Sequence, residues 1–160
     1  MQRSAASLLV FLWIFQGTHA LLGQSKDAIV GTWTLDRAKS EFTPDNDALR
    51  SRTMVFEGIE NGVKCTITTL NERGNGRTTI ENTFTAHYDG KDVPIDSSAL
   101  DTVALKRVDS NTIERTGKIR GNTAETATLK VSADGKVLTM TTTGSINGQD
   151  YKSTQIFDRQ

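Results

Sequence analysis

Thr126-Ala127-Thr128-Leu129-Lys130-Val131-Ser132-Ala133-Asp134-Gly135-Lys136-Val137-Leu138-Thr139-Met140-Thr141 is the stretch that decides the fold. Ala127, Leu129 and Val131 alternate with Thr126, Thr128 and Lys130. Beyond Asp134-Gly135, Leu138 and Met140 alternate with Thr139 and Thr141. A strand turns successive side chains to opposite faces, so each run describes a strand with one dry and one wet face. Asp-Gly supplies the positive φ angles of a tight reversal, so the two runs form a hairpin.

The same punctuation extends in both directions. Asn61-Gly62, Gly74-Asn75-Gly76, Asp89-Gly90, Ser110-Asn111, Gly121-Asn122 and Asn147-Gly148 recur mostly 11 to 15 residues apart, one strand plus one turn each time. Thr, Val and Ile are frequent and helical periodicity is scarce. The spacing predicts ten strands at about 29–36, 51–60, 62–71, 76–88, 91–96, 101–109, 111–120, 123–132, 136–145 and 149–158. Ten strands must hide their edges, and closure does so with local connections alone. The expected fold is therefore all-β, an antiparallel up-and-down barrel of about ten strands. A β-sandwich would need longer crossing connections. Pro94 cannot donate to a ladder, so strand 91–96 should be an edge, a gap or a bulge.

The segment 36–50 is too long for a hairpin turn. It could hold one helical turn near Ala38–Ser40, with Phe42 pinning it to the barrel. It reads either as a lid over the barrel mouth or as a plain surface loop.

The first residues read as an address. Arg3 is the only charge before Lys26, and the apolar run from Ala5 to Phe15 is shorter than the ~20 residues a membrane span needs. Thr18-His19-Ala20 suits a signal peptidase, so residues 1–20 are expected to be an export signal, with a cut as late as Gln24 also compatible. An uncleaved anchor is the alternative. Residues 21–160 then form one domain with no membrane span, periplasmic or secreted. Removing Arg3 leaves 18 basic and 19 acidic groups, a net charge of −1. That balance lacks the basic footprint of a nucleic-acid binder. With 36% hydrophobic and 6% aromatic residues, the chain also lacks the girdles of an outer-membrane barrel.

Val30-Gly31-Thr32-Trp33-Thr34-Leu35 resembles the Gly-x-Trp opening of the calycin superfamily, which contains lipocalins and intracellular fatty-acid-binding proteins. Gly31 to Phe42 is similar to the Gly-x-Trp-x-Leu-x-x-x-Lys-Ser-x-Phe opening of small secreted bacterial lipocalin-like proteins. Ser153 to Gln160 is similar to the last strand of the fatty-acid-binding branch. The resemblance implies that Trp33 closes the barrel floor with Arg159 lying across it, a structural role. It also implies a missing grip. Where that branch uses an Arg-x-Tyr pair to hold a carboxylate, this chain has Gln155 and Phe157, so a neutral or weakly polar ligand fits better.

Catalytic signals are weak. His87 is the only histidine after residue 20 and alternates onto the face opposite Phe84 and Ala86. With Cys65 it falls short of a zinc set, and no phosphate-cradling loop or Gly-x-Ser-x-Gly occurs. Cys65, between Val63 and Ile67, reads as a small buried hydrophobe. Arg115 alternates with Ile113, Gly117 and Ile119. If that face points inward, the charge needs a partner, with Glu114 and Glu125 the candidates. Otherwise the strand is exposed on both faces.

The expectation is a non-catalytic binding protein without a cofactor, holding a small, largely apolar ligand. Trp33, Asn82, Phe84, Arg115, Leu129, Met140, Tyr151, Gln155 and Phe157 are the candidate lining residues. The competing expectation is a protein-interaction or envelope module whose barrel is packed solid by its own side chains.

Overall fold

The computed structural model describes residues 27–146 and 148–160; the expected export signal lies outside them. Ten antiparallel strands form a single sheet: β1 (Gly31–Thr43), β2 (Leu49–Ile59), β3 (Gly62–Arg73), β4 (Gly76–His87), β5 (Val93–Pro94), β6 (Thr102–Arg107), β7 (Thr112–Ile119), β8 (Asn122–Val131), β9 (Val137–Ile146) and β10 (Gln149–Arg159). Their order is β4-β3-β2-β1-β10-β9-β8-β7-β6-β5, so the first strand pairs with the last and every other neighbour is a hairpin partner. Just beyond β5, Asp96 exchanges backbone hydrogen bonds with Thr83 of β4, at 2.9 and 3.3 Å. That bridge, with a second between Asp89, just beyond β4, and Lys106 of β6, brings the two sheet edges together into a nearly closed, up-and-down barrel.

Alternation places the core as the sequence suggests. Val63 and Cys65 of β3, Phe84 and Ala86 of β4, Ala127, Leu129 and Val131 of β8, and Leu138 and Met140 of β9 are all buried. The interleaved Thr126, Thr128 and Lys130 are exposed. Cys65 is 1% exposed, and burial pushes its thiol up to about 12, against a smaller opposing pull from the charge of Arg115. A thiol held neutral is a poor nucleophile. Native protein at pH 8 should therefore react with a bulky aromatic disulfide reagent only as fast as it unfolds; immediate labelling would contradict this burial.

Two predicted segments need correction. Residues 36–50 are not one long loop and hold no helical turn, although Phe42 does pack on the core as expected. β1 runs on to Thr43, and its pairing with β10 shifts register between Asp36 and Glu41, a bulge. The bulge is built from short polar side chains. Asp36 Oδ1 accepts from the amides of Ala38 (3.1 Å) and Lys39 (3.2 Å). Ser40 Oγ donates to the Asp36 carbonyl (2.7 Å) and accepts from the Ile156 amide of β10 (2.9 Å). An extra stretch absorbed this way steps the strand outward without ending it. Ser40→Ala leaves the Ile156 amide without its acceptor and should cost about 1–2 kcal/mol by denaturant titration. The remaining turn is tied back by Arg37, which donates to Asp45 at 2.9 Å and stacks 4.6 Å over Phe42.

The second correction concerns strand 91–96, which shrinks to Val93–Pro94 at the sheet edge. Pro94 has no N–H for a ladder. The chain after it turns inward instead: Ile95 is buried and Leu100 packs on the core. Ser97 Oγ caps this turn by accepting from the amide of Ala99 at 3.0 Å. Segment 95–101 thus covers part of the barrel end.

At the opposite end, Trp33 is fully buried and its indole N–H donates to the Ile29 carbonyl at 2.7 Å. The Arg159 guanidinium lies 4.1 Å over its ring. Arg159 donates to the carbonyls of Ala28, Val30 (2.8 Å) and Gly135. Gly31 is required here twice over. Its φ is +143°, and a Cβ would stand 2.5 Å from an Arg159 nitrogen.

Candidate functional site

The alternation that buries Ile113 and Gly117 of β7 turns Arg115 inward with them. A buried guanidinium needs a carboxylate, and Glu125 of β8 supplies it. Arg115 donates to one Glu125 oxygen, with side chains only 11% and 14% exposed. The Tyr151 hydroxyl donates to the other oxygen. Burial, and then the bond to Glu125, push the Tyr151 phenol above its ordinary range. Glu114, the other candidate partner, faces out and is exposed.

Gly144 of β9 lies between them, paired with both Glu125 and Tyr151. A Cβ on Gly144 would come within 2.7 Å of the Tyr151 oxygen and 2.6 Å of the Ala124 carbonyl oxygen. Only a glycine leaves room for the phenol to reach Glu125.

A second guanidinium joins from β2. Arg52 donates from Nε to Thr69 Oγ1 (3.1 Å) and from Nη1 to Gln155 Oε1 (2.7 Å). Gln155 is itself fixed by donating to Ser153 Oγ at 3.1 Å. Both acceptors of Arg52 are neutral. Burial, followed by the neighbouring charge of Arg115 and against the pull of Glu125, lowers the Arg52 guanidinium to about 10. It remains charged at neutral pH. The cluster thus holds two cations and one anion. Among the described residues it also holds two buried polar atoms without a protein partner, Arg115 Nε and Thr142 Oγ1.

The cluster separates two spaces. Inside lies a chamber of about 190 Å³, walled by apolar side chains including Met54, Phe84, Leu105, Leu129 and Met140, and by Ser97, Ala99 and Leu100 of the inward-turned segment. Outside lies an open groove of about 540 Å³ that reaches Phe42 to Asn46 and Thr142. Arg52, Arg115, Glu125, Met140 and Tyr151 line both.

Of the candidate lining residues, Asn82, Phe84, Arg115, Leu129, Met140 and Tyr151 line the chamber. Three do not. Trp33 and Phe157 share the inward parity but are wholly buried in side-chain packing at the closed end, outside the chamber wall. Gln155 lines the outer groove, where it receives Arg52.

The inward reading of Arg115, paired with Glu125, is the one the structure shows. A guanidinium does reach position 155, but it comes from across the barrel, from Arg52 of β2. Its signal was present in the sequence, since Arg52 alternates with Met54 and Phe56, which are both buried. His87 is exposed, with Nδ1 2.9 Å from the Glu60 carbonyl oxygen and no part in the chamber. No group of three His, Cys, Asp or Glu side chains able to hold a metal ion occurs among the described residues. Nor does any helix long and apolar enough to cross a membrane. No family model matches the chain, and comparison with curated proteins finds no match.

Proposed function

We propose that this chain is a non-catalytic, extracytoplasmic binding protein of calycin type that holds one small molecule in its barrel. The observation that carries the reading is the chamber of about 190 Å³ inside an otherwise packed core. Small barrels are usually filled by their own side chains. An apolar cavity of about 150 Å³ takes a benzene ring, so this one suits a guest of a single ring or a short branched chain. A long acyl chain exceeds it. The groups at its mouth are suited to binding: two guanidiniums, a carboxylate already accepting two hydrogen bonds, and a phenol whose proton is engaged. Trp33 against Arg159, at the joint of the first and last strands, supports the calycin likeness. The charge-poor leader of residues 1–20 supports export. Likeness of fold alone does not make a binding protein, so the chamber bears the weight.

The competing interaction-module reading asked for a solid interior and an exposed apolar patch. The interior holds a chamber, and Val108 alone is an exposed large hydrophobe among the described residues. Native mass spectrometry of protein purified from its own host tests the proposal. A single small adduct is expected, lost in Ala124→Leu, whose added carbons enter the chamber. An adduct retained unchanged by the plugged variant, or a wild-type barrel that binds no single-ring compound, would overturn it. Tryptophan fluorescence is a poor reporter here, because Trp33 lies outside the chamber wall.

A further inference from the structure

The geometry points to a small organic carboxylate as the guest, its carboxylate between Arg52 and Arg115 and its apolar body in the chamber. This inference rests on the binding reading above and adds the ligand's chemical class.

Three observations converge on it. The first is charge. Arg52 and Arg115 face one carboxylate, Glu125, and that carboxylate is committed to Arg115 and Tyr151. One positive charge at the chamber mouth is left uncompensated. Arg52 is half-buried, and a charge drawn partly out of water without a counter-charge is disfavoured; a monoanion of matching charge offsets that cost. A phosphate dianion would overshoot it.

The second observation is donors. A guanidinium offers five N–H groups. Arg52 uses two of them, both on neutral oxygens, which leaves three for a guest. Arg115 Nε also lacks a protein acceptor, but it is closed off from the chamber, so the free donors are those of Arg52. A planar carboxylate presents two oxygens with lone pairs in the geometry guanidiniums favour. A neutral guest, by contrast, would cover these donors and leave them unmet. Gln155 cannot take over, because its carbonyl oxygen already accepts from Arg52 and its amide donates to Ser153.

The third observation is placement. Arg52 and Arg115 line both the chamber and the groove, so a carboxylate held there leaves its hydrocarbon facing Phe84, Leu129 and Met140. The chamber volume then limits that hydrocarbon to about one ring. Lys152 lies in the groove wall and adds a positive charge along the approach; Asp45, also there, is tied to Arg37.

The experiment titrates the wild-type protein and Arg52→Met with two probes of one shape, benzoate and benzyl alcohol, by calorimetry or ligand-observed NMR. Wild type should bind benzoate more tightly than benzyl alcohol by on the order of tenfold or more, the size of a charge-assisted hydrogen-bond pair. Arg52→Met should erase that preference, chiefly by weakening benzoate. Arg52→Lys should restore part of it. Equal wild-type affinity for both probes would overturn the carboxylate inference and leave the binding barrel standing. So would displacement of benzoate by inorganic phosphate at equal concentration. If wild type binds neither probe, the binding reading itself falls and the inference with it. The wild-type comparison decides by itself, so the outcome does not depend on either variant folding.

Discussion

Glu125→Ala should cost the fold about 3–5 kcal/mol, among the largest effects expected of a single substitution in the barrel. The carboxylate accepts from Arg115 and from Tyr151, and both donors would lose their partner in a site only 11–14% exposed. Arg115 already has one buried nitrogen unmet. Losing its counter-charge would leave a whole guanidinium inside the barrel against Arg52, a second cation. The fall in Tm should be on the order of 10 °C. The double variant Arg115→Met/Glu125→Leu should behave quite differently. It removes both charges and fills their space with hydrocarbon, so its stability should return to within about 1–2 kcal/mol of wild type. Denaturant titration of the two variants side by side checks this. A mild Glu125→Ala, or a double variant worse than the single, would mean the pair is solvated and lies outside the interior.

Arg159→Ala should cost about 2–4 kcal/mol, from lost hydrogen bonds and lost stacking together. The side chain closes the barrel seam in three places. It reaches the carbonyls of Ala28 and Val30, just ahead of β1, and that of Gly135 in the β8–β9 turn. Its flat face lies over Trp33. Arg159→Lys should recover less than half of the loss, since an ammonium cannot span three carbonyls and stack as well. Gly31→Ala should weaken the same seam, because its Cβ would collide with the guanidinium. Thermal unfolding of the three variants, followed by circular dichroism, gives the order. An Arg159→Lys protein as stable as wild type would show that charge alone matters there.

Much of this architecture was legible because it rests on period-two patterning and on turn residues whose φ angles few other residues can adopt. Asp134-Gly135 and Gly121-Asn122 mark reversals whatever surrounds them. Bulges leave a weaker trace. Asp36 and Ser40 look like loop residues because their side chains satisfy backbone groups locally, the same property that lets a strand absorb extra residues and continue. Pro94 announced an edge. That the following chain would fold inward depended on Ile95 and Leu100 finding the core, a tertiary event.

The site was half visible for a related reason. Parity told which residues face in, and it served for Asn82, Phe84, Arg115, Leu129, Met140 and Tyr151. It did not tell how deep along the axis each one sits. Trp33 and Phe157 face in at the packed end, and Gln155 faces in at the groove. The β1–β10 and β9–β10 registers, which set those depths, are properties of the closed sheet. Arg52 was missed because family likeness directed attention to the last strand, while the cation enters from β2.

The central claim is that the barrel interior admits a compact guest at one defined place. Methyl-resolved NMR of selectively labelled methionines tests it most directly, because Met54 and Met140 are both in the chamber wall. Titrating benzoate into the wild-type protein should shift both methyl signals together along one saturable isotherm, and Ala124→Leu should abolish the shifts while the folded spectrum persists. Methionine signals that stay fixed at saturating benzoate, or that move equally in the plugged variant, would contradict it.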